Sequence, residues 1–352
     1  MTKLRLGVIG AGSWAVAAHL PAMAARAADV EFVGVCRYGG DALRRIKDRY
    51  GFRFASEDYQ DVLAKGIDIA IVASPTAVHY EQVRSALSVG AHVLCEKPLT
   101  LTSEQAWDLV DVAARTGRHL LVSFGWNYTP MIERARAMLR ESGIGPVEQI
   151  SLTMSSQTRE LLSNTGAYPD ASRDIVPDSA TWTDPAVSGG GYGQAQLSHA
   201  LALAFSLTGA RARGAFALMS APLDAPVELH DAICLSLDGG GVCSVGGASA
   251  YVGADGNRHH LALEAVGNEG QLHVDVFRER VSRYRPDTGQ SELPVRSGEG
   301  AYDGSLAAQR LVDLAVGRTS DNPAPGELGA RTVEALELAY RSAASGAFEV
   351  RP

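Results

Sequence analysis

A parallel, doubly wound α/β half, followed by a half built on an antiparallel sheet, is the architecture this sequence predicts. Two patterns predict it. Over roughly the first third, short apolar runs alternate with helical stretches, and a parallel sheet covered on both faces is the economical topology for that alternation. From residue 147 onward, strand-like runs are joined by glycine turns such as Asp238-Gly239-Gly240-Gly241 and Gly267-Asn268-Glu269-Gly270, the pattern of hairpins.

Composition bounds the rest. The 352 residues, 46% of them apolar, suit two domains that each bury a core. The net charge is -8 without a basic patch, so nucleic acid is not an expected partner. Cys36, Cys95, Cys234 and Cys243 lie in apolar runs and form no C-x-x-C pair. They are expected to be reduced, buried thiols of a cytoplasmic protein, with no metal site. The amino terminus enters a strand at once, without a signal peptide's apolar core. No run approaches the roughly 18 apolar residues of a membrane span, so no membrane is expected.

The first strand, Leu4 to Ile9, runs into Gly10-Ala11-Gly12-Ser13-Trp14-Ala15 and a helix to about Ala28. This is G-x-G-x-x-A between a strand and a helix, the setting of a dinucleotide site. Gly10 permits the tight turn, Gly12 admits a pyrophosphate, Ala15 allows close helix packing, and the helix-start amides beside Ser13 face the phosphates. Trp14 reads equally as a flank for the nicotinamide or as a packing residue, and His19 as a helix-face histidine. The second strand, Val30 to Val35, ends in Cys36-Arg37-Tyr38, where an acid would hold the ribose of NAD. Arg37 can instead pair with a 2′-phosphate. NADP(H) is therefore favoured, with NAD(H) the alternative if Arg37 stacks on adenine or faces solvent.

A helix from Gly40 to Tyr50 and a strand from Ile67 to Ala73 follow, the latter ending in Ser74-Pro75-Thr76. Small residues there leave room for a dinucleotide, and His79 either touches it or makes a structural contact. The helix Tyr80 to Val89 leads to Val93-Leu94-Cys95-Glu96-Lys97-Pro98, a buried strand stopped by proline. Lys97 thus stands at the carboxyl end of a buried strand, the edge where ligands bind in open α/β sheets. A helix begins at Thr102-Ser103-Glu104 and runs to Arg115, and Leu120 to Phe124 is a further strand.

With Gly10-Ala11-Gly12, Ser74-Pro75-(x3)-His79 and Glu96-Lys97-Pro98 in this order and spacing, the chain resembles the glucose–fructose oxidoreductase/inositol dehydrogenase (Gfo/Idh/MocA) family. The resemblance implies a Rossmann domain over 1–124. It also implies a substrate and oligomerisation domain over 125–352, an α+β unit with a large, mostly antiparallel open sheet. It implies hydride transfer at a carbinol carbon of a sugar or cyclitol, with Lys97 at the reacting hydroxyl and the cofactor, and a homodimer or homotetramer. Ser74, Pro75, His79 and Glu96 join the cofactor-binding set, and the helix expected over 324–344 packs back on the first domain.

The second half departs from the family pattern in two places. Gly125-Trp126-Asn127-Tyr128-Thr129-Pro130 has Trp126 and Asn127 where basic residues often stand, so Asn127 and Tyr128 become candidate sugar contacts. The run Gly189-Gly190-Gly191-Tyr192-Gly193-Gln194-Ala195-Gln196-Leu197-Ser198-His199 matches the family's histidine at His199, but the usual aspartate is Ala195. Gln194 and Gln196 flank that gap and can bond substrate without acting as bases. The irregular stretch from Glu160 to Ser188 is expected to cover the substrate, offering Tyr168, Arg173, Asp174, Trp182 and Asp184. Lys97 and His199 are the two proton-handling candidates, and Ala195 leaves Lys97 more of that work. Two other readings stay open: a lyase or glycosidase using bound NAD(P) for transient oxidation, and a redox-inactive sugar or dinucleotide sensor.

Overall fold

The computed structural model describes residues 2–168 and 178–352. They form two compact units, one from 2–125, 178–181 and 303–330, the other from 126–168, 182–302 and 331–352.

The first unit is built on six parallel strands: β1 (Leu4–Ile9), β2 (Val30–Cys36), β3 (Phe54–Ser56), β4 (Ile69–Val72), β5 (His92–Cys95) and β6 (Leu120–Val122). Their order is β3-β2-β1-β4-β5-β6. Leu6, Val8, Ile69, Ile71, Val93 and Leu94 are wholly buried. These strands are apolar along their length because helices cover both faces. The helix Gly40–Tyr50 ends at a left-handed Gly51. The helix Ser103–Thr116 starts where the Thr102 hydroxyl accepts the Gln105 N–H and ends at left-handed Gly117. The strand order reverses between β1 and β4, and that reversal opens a crevice at their carboxyl ends. Just after β1 the backbone runs so close to the end of β4 that a side chain on Gly10 would collide with the Ser74 backbone.

This unit also includes the helix Ser305–Ala315, which packs against β4, β5 and β6. The division at residue 124 misassigned that segment to the second half. Its apolar residues Ala307, Ala308, Leu311, Val312 and Leu314 are buried at helical spacing, a legible signal. The tail helix runs Gly326–Ser345, with residues through Ala330 in the first unit and the remainder in the second.

The second unit carries β7 (Val147–Ser156), β8 (Ala212–Ser220), β9 (His230–Leu237), β10 (Val242–Ser249), β11 (His260–Gly267), β12 (Gly270–Asp275), β13 (Arg280–Arg285), β14 (Gly289–Glu292) and β15 (Glu349–Val350). Their order is β14-β13-β12-β11-β7-β10-β9-β8-β15, antiparallel throughout except for the parallel pair β7 and β10. One face is buried. Along β9, Ile233, Leu235 and Leu237 point inward while Ala232 and Cys234 point out, the period-two pattern of a half-covered sheet. Cys234 is therefore exposed, contrary to the expectation of four buried thiols. The helix Ser198–Thr208 packs on β7 and β11 and is buried almost all round. Among the described residues no helix is long and apolar enough to cross a membrane.

Candidate active site

In the first unit the glycine loop joins β1 to a π-helical turn, Ala15–His19. The Gly10 and Ala11 amides are held by the Cys36 carbonyl at 2.9 and 3.0 Å, which fixes the loop to the end of β2. Around Gly12 only the Gly10 carbonyl oxygen comes near the place of a Cβ, at 3.8 Å, so the backbone is open to a ligand. That opening and the orphan amides of a helix start fit a pyrophosphate. Ala15 is wholly buried, as close helix packing requires. Trp14 is 36% exposed and its indole lies against Gly304, where a Cβ would come within 2.6 Å of Cζ2. Ser13 is half-buried beside it. Arg37 donates from Nε to the Tyr38 carbonyl at 3.0 Å and from Nη1 to the Ala11 carbonyl at 3.4 Å, so its guanidinium reaches the glycine loop.

At the end of β4, the Ser74 hydroxyl donates to Gln82 Oε1 at 2.5 Å and Pro75 is exposed. Of the two readings of His79, the structural one matches its contacts. It is 1% exposed, with Nε2 2.7 Å from the Ser74 carbonyl and Nδ1 3.0 Å from the Pro98 carbonyl. It braces the ends of β4 and β5 and touches no open surface. Two carbonyl acceptors favour a doubly protonated ring, but burial opposes the charge and holds the ring below the ordinary histidine range.

Glu96 and Lys97 follow β5 directly. Glu96 Oε1 lies 2.7 Å from Nε2 of the wholly buried His19, and Oε2 accepts the Lys97 backbone N–H at 3.2 Å. His19 is thus more than a helix-face residue: it holds the carboxylate beneath the lysine. Burial would raise the Glu96 carboxyl, but the His19 hydrogen bond and the charges of His19 and Lys97 outweigh it and keep the carboxylate ionised. At Lys97 burial pulls the amine down to about 8, against the opposing pull of Glu96. A lysine so tuned exchanges its proton near neutral pH, as a general base or acid requires.

In the second unit the helical run that carries His199 opens with a π turn, Gly193–Leu197, and continues as the helix Ser198–Thr208. The extra residue of a π turn rotates everything after it, and such turns recur at functional sites. His199 is 4% exposed and its ring meets Trp126 edge-on, centroids 5.3 Å apart. Tyr302 packs at 5.6 Å from His199 and 4.8 Å from Trp126, and His259 lies 5.3 Å from the same indole. The Tyr168 hydroxyl is 3.2 Å from His259 Nε2. Trp126, His259 and Tyr302 were not among the expected site residues. His259 and Tyr302 stand in no motif, Trp126 was visible only as a departure from the family pattern, and only the fold assembles the three.

Gln194 is 3% exposed, with no partner for Oε1 among the described residues, and Gln196 is half-buried. Asn127 corrects an expectation. It is wholly buried, its Nδ2 donates to the Ala202 carbonyl at 3.4 Å, and it ties the Gly125–Tyr128 turn to the His199 helix. Tyr128 beside it is 3% exposed. Trp182 is half-buried, whereas Asp184 caps the short helix Pro185–Ser188 by accepting the Ala186 N–H at 2.9 Å. Arg173 and Asp174 lie outside the described residues.

Residues 4–124 match the family model described as an oxidoreductase family with an NAD-binding Rossmann fold. The chain is 32% identical over 147 residues to D-glucoside 3-dehydrogenase of Escherichia coli, covering 42% of each protein. It is 28% identical over 175 residues to inositol 2-dehydrogenase/D-chiro-inositol 3-dehydrogenase of Lactiplantibacillus plantarum, covering 49% of this chain and 48% of that one. It thus spans about half the length of these relatives. Its fold is shared end to end with levoglucosan dehydrogenase solved with NADH and levoglucosan, at a TM-score of 0.78, 20% identity and 100% coverage of both chains. Over residues 4–124 the chain is similar to the Gfo/Idh/MocA oxidoreductases, with the NAD-binding Rossmann fold that its glycine loop and strand order had indicated.

Proposed function

We propose that this protein transfers a hydride between a nicotinamide dinucleotide and a secondary alcohol or ketone of a sugar, sugar derivative or cyclitol. One observation carries the reading: Lys97, its amine drawn down to about 8, ends β5 on the same sheet edge at which the Gly10–Ala15 loop leaves β1. Gly10, Gly12, Ser13 and Ala15 would hold the pyrophosphate, and Ser74 and Pro75 would line the crossing. When bound, the dinucleotide supplies the hydride acceptor or donor. Lys97 Nζ takes the hydroxyl proton during oxidation and returns it during reduction. Glu96, fixed by His19, keeps a negative charge beside that amine. In the second unit His199 is the further proton-handling group, and Tyr128, Trp182, Gln194 and Gln196 are the contacts for substrate hydroxyls. Relatives named for glucosides and inositols support the substrate class.

The test is a panel of D-glucosides, levoglucosan, inositols and their keto forms with both cofactors, read at the reduced nicotinamide absorbance. Substrate-dependent change supports the reading. NADH binding with no hydride transfer to any member overturns it, and product without net absorbance change points to transient oxidation.

For the cofactor, we propose a preference for NADP(H). Arg37 directly follows β2 and its guanidinium reaches the glycine loop, where it could pair with a 2′-phosphate. A charge-assisted bond is worth about 1.5–3 kcal/mol. Arg37→Ser should therefore cut kcat/KM for NADPH by roughly 10- to 100-fold and leave NADH nearly unchanged. A strong NADH preference in the unmodified protein ends this assignment.

A further inference from the structure

The glycine run that opens the His199 helix is shaped by two side chains from elsewhere in the second unit. A Cβ on Gly190 would strike the Tyr340 hydroxyl, one on Gly191 the Glu228 carbonyl, and one on Gly193 would come within 2.7 Å of the Tyr340 hydroxyl. Glu228 lies in the connection between β8 and β9, and Tyr340 in the helix Gly326–Ser345. The Gly191 N–H donates to both Glu228 carboxylate oxygens at 2.9 Å. The Gly193 N–H donates to Oε1 at 3.0 Å and the Tyr340 hydroxyl to the same oxygen at 2.5 Å. The Tyr192 N–H reaches the Glu228 carbonyl at 3.0 Å. Tyr340 then accepts the Gln194 N–H at 3.2 Å. Every backbone donor in this set stands immediately before, or within, the π turn Gly193–Leu197.

The first N–H groups of a helix have no intrahelical partner, whether its opening turn is α or π. Here one carboxylate and one phenol supply the partners. Were the turn to relax to α-helix, one residue of rotation, about 100°, would separate the side chains before it from those after it. Charge-assisted bonds of this kind are the strong ones, and they hold the backbone at the entrance of the π turn.

We propose that Glu228, acting with Tyr340, is a positioning residue that locks the π turn and so sets the direction in which Gln194 and His199 are presented. The inference rests on the reading of His199 as a proton-handling group, but its first tests do not need a substrate. Glu228→Gln keeps the side chain's size and turns one acceptor into a donor facing the Gly191 N–H. Tyr340→Phe removes only the phenol oxygen, and serves if the first variant fails to fold. In either variant, amide hydrogen exchange over residues 190–194 should quicken by at least about tenfold. The rate of His199 modification by diethyl pyrocarbonate should change, while that of His273, exposed on β12, should not. With any panel polyol that is turned over, kcat should fall while the NADH dissociation constant stays the same. A folded variant whose 190–194 exchange is unchanged overturns the clamp. Faster exchange with unaltered His199 reactivity overturns the positioning role and leaves Glu228 a loop anchor. If the unmodified protein oxidises no polyol, the proposed function fails on its own, and exchange and labelling still decide this inference.

Discussion

Replacing Lys97 with alanine is expected to lower turnover by at least about 10²–10⁴-fold, the usual worth of a positioned proton-transfer group. Dinucleotide binding should survive, because the glycine loop is anchored by the Cys36 carbonyl. The pH dependence is a sharper check. Burial lowers the amine to about 8 and Glu96 keeps it from falling further. Oxidation needs the neutral amine, so its rate should rise as pH passes upward through about 8. Reduction needs the protonated amine and should fall over the same range. Lys97→Arg stays charged at every accessible pH, so it should bind cofactor, lose oxidation as alanine does, and show no inflection near 8. Stopped-flow hydride transfer with fluorescence-detected NADH binding separates these quantities. Near-normal turnover in the alanine variant would remove Lys97 from the mechanism.

Much of the first unit was legible because its signals are local. A glycine loop between a strand and a helix, a proline-stopped strand at Lys97, and alternating apolar runs each depend on a few neighbouring residues. Elements of the second sheet were legible for the same reason: β10 runs Val242–Ser249, as its period-two pattern predicts. What escaped depends on distant pairings. His79 reads from the sequence equally as a cofactor contact or a structural one, and only the return of Pro98 beside Ser74 makes it a buried brace. Asn127 looks like a sugar contact until Ala202 meets it from a helix about 75 residues away. Glu228 stands in no motif, and its importance appears only when Gly191, Gly193 and Tyr340 converge on it. The glycine run was visible as an oddity; what had filled the missing side chains' space was not.

Asp231→Asn is expected to stabilise the protein at alkaline pH. Asp231 lies on β9 opposite Gly247 of β10, on the inward face with Ile233 and Leu235, and is 5% exposed. Among the described residues neither carboxylate oxygen has a hydrogen-bond partner. Burial, and then the nearby Glu228 charge, raise this carboxyl to about 8. The folded state therefore holds a proton that the unfolded chain releases near the ordinary value of 3.8. Below about pH 4 both states are protonated and the site costs nothing by titration. Between there and about pH 8 the folded state binds the extra proton, so stability falls as pH rises; above 8 the full cost is present. At ~1.4 kcal/mol per unit, and discounting for relaxation and water entry around a buried acid, that cost is ~2–5 kcal/mol. Asparagine keeps the shape without the charge. Its advantage should be largest at pH 9, shrink steadily on acidification and vanish near pH 4, as urea-unfolding midpoints at several pH values would show. An advantage independent of pH would mean that Asp231 does not titrate in this window. An asparagine variant less stable at pH 9 would mean that the carboxylate has a partner in solution, with water the first candidate for so buried a group.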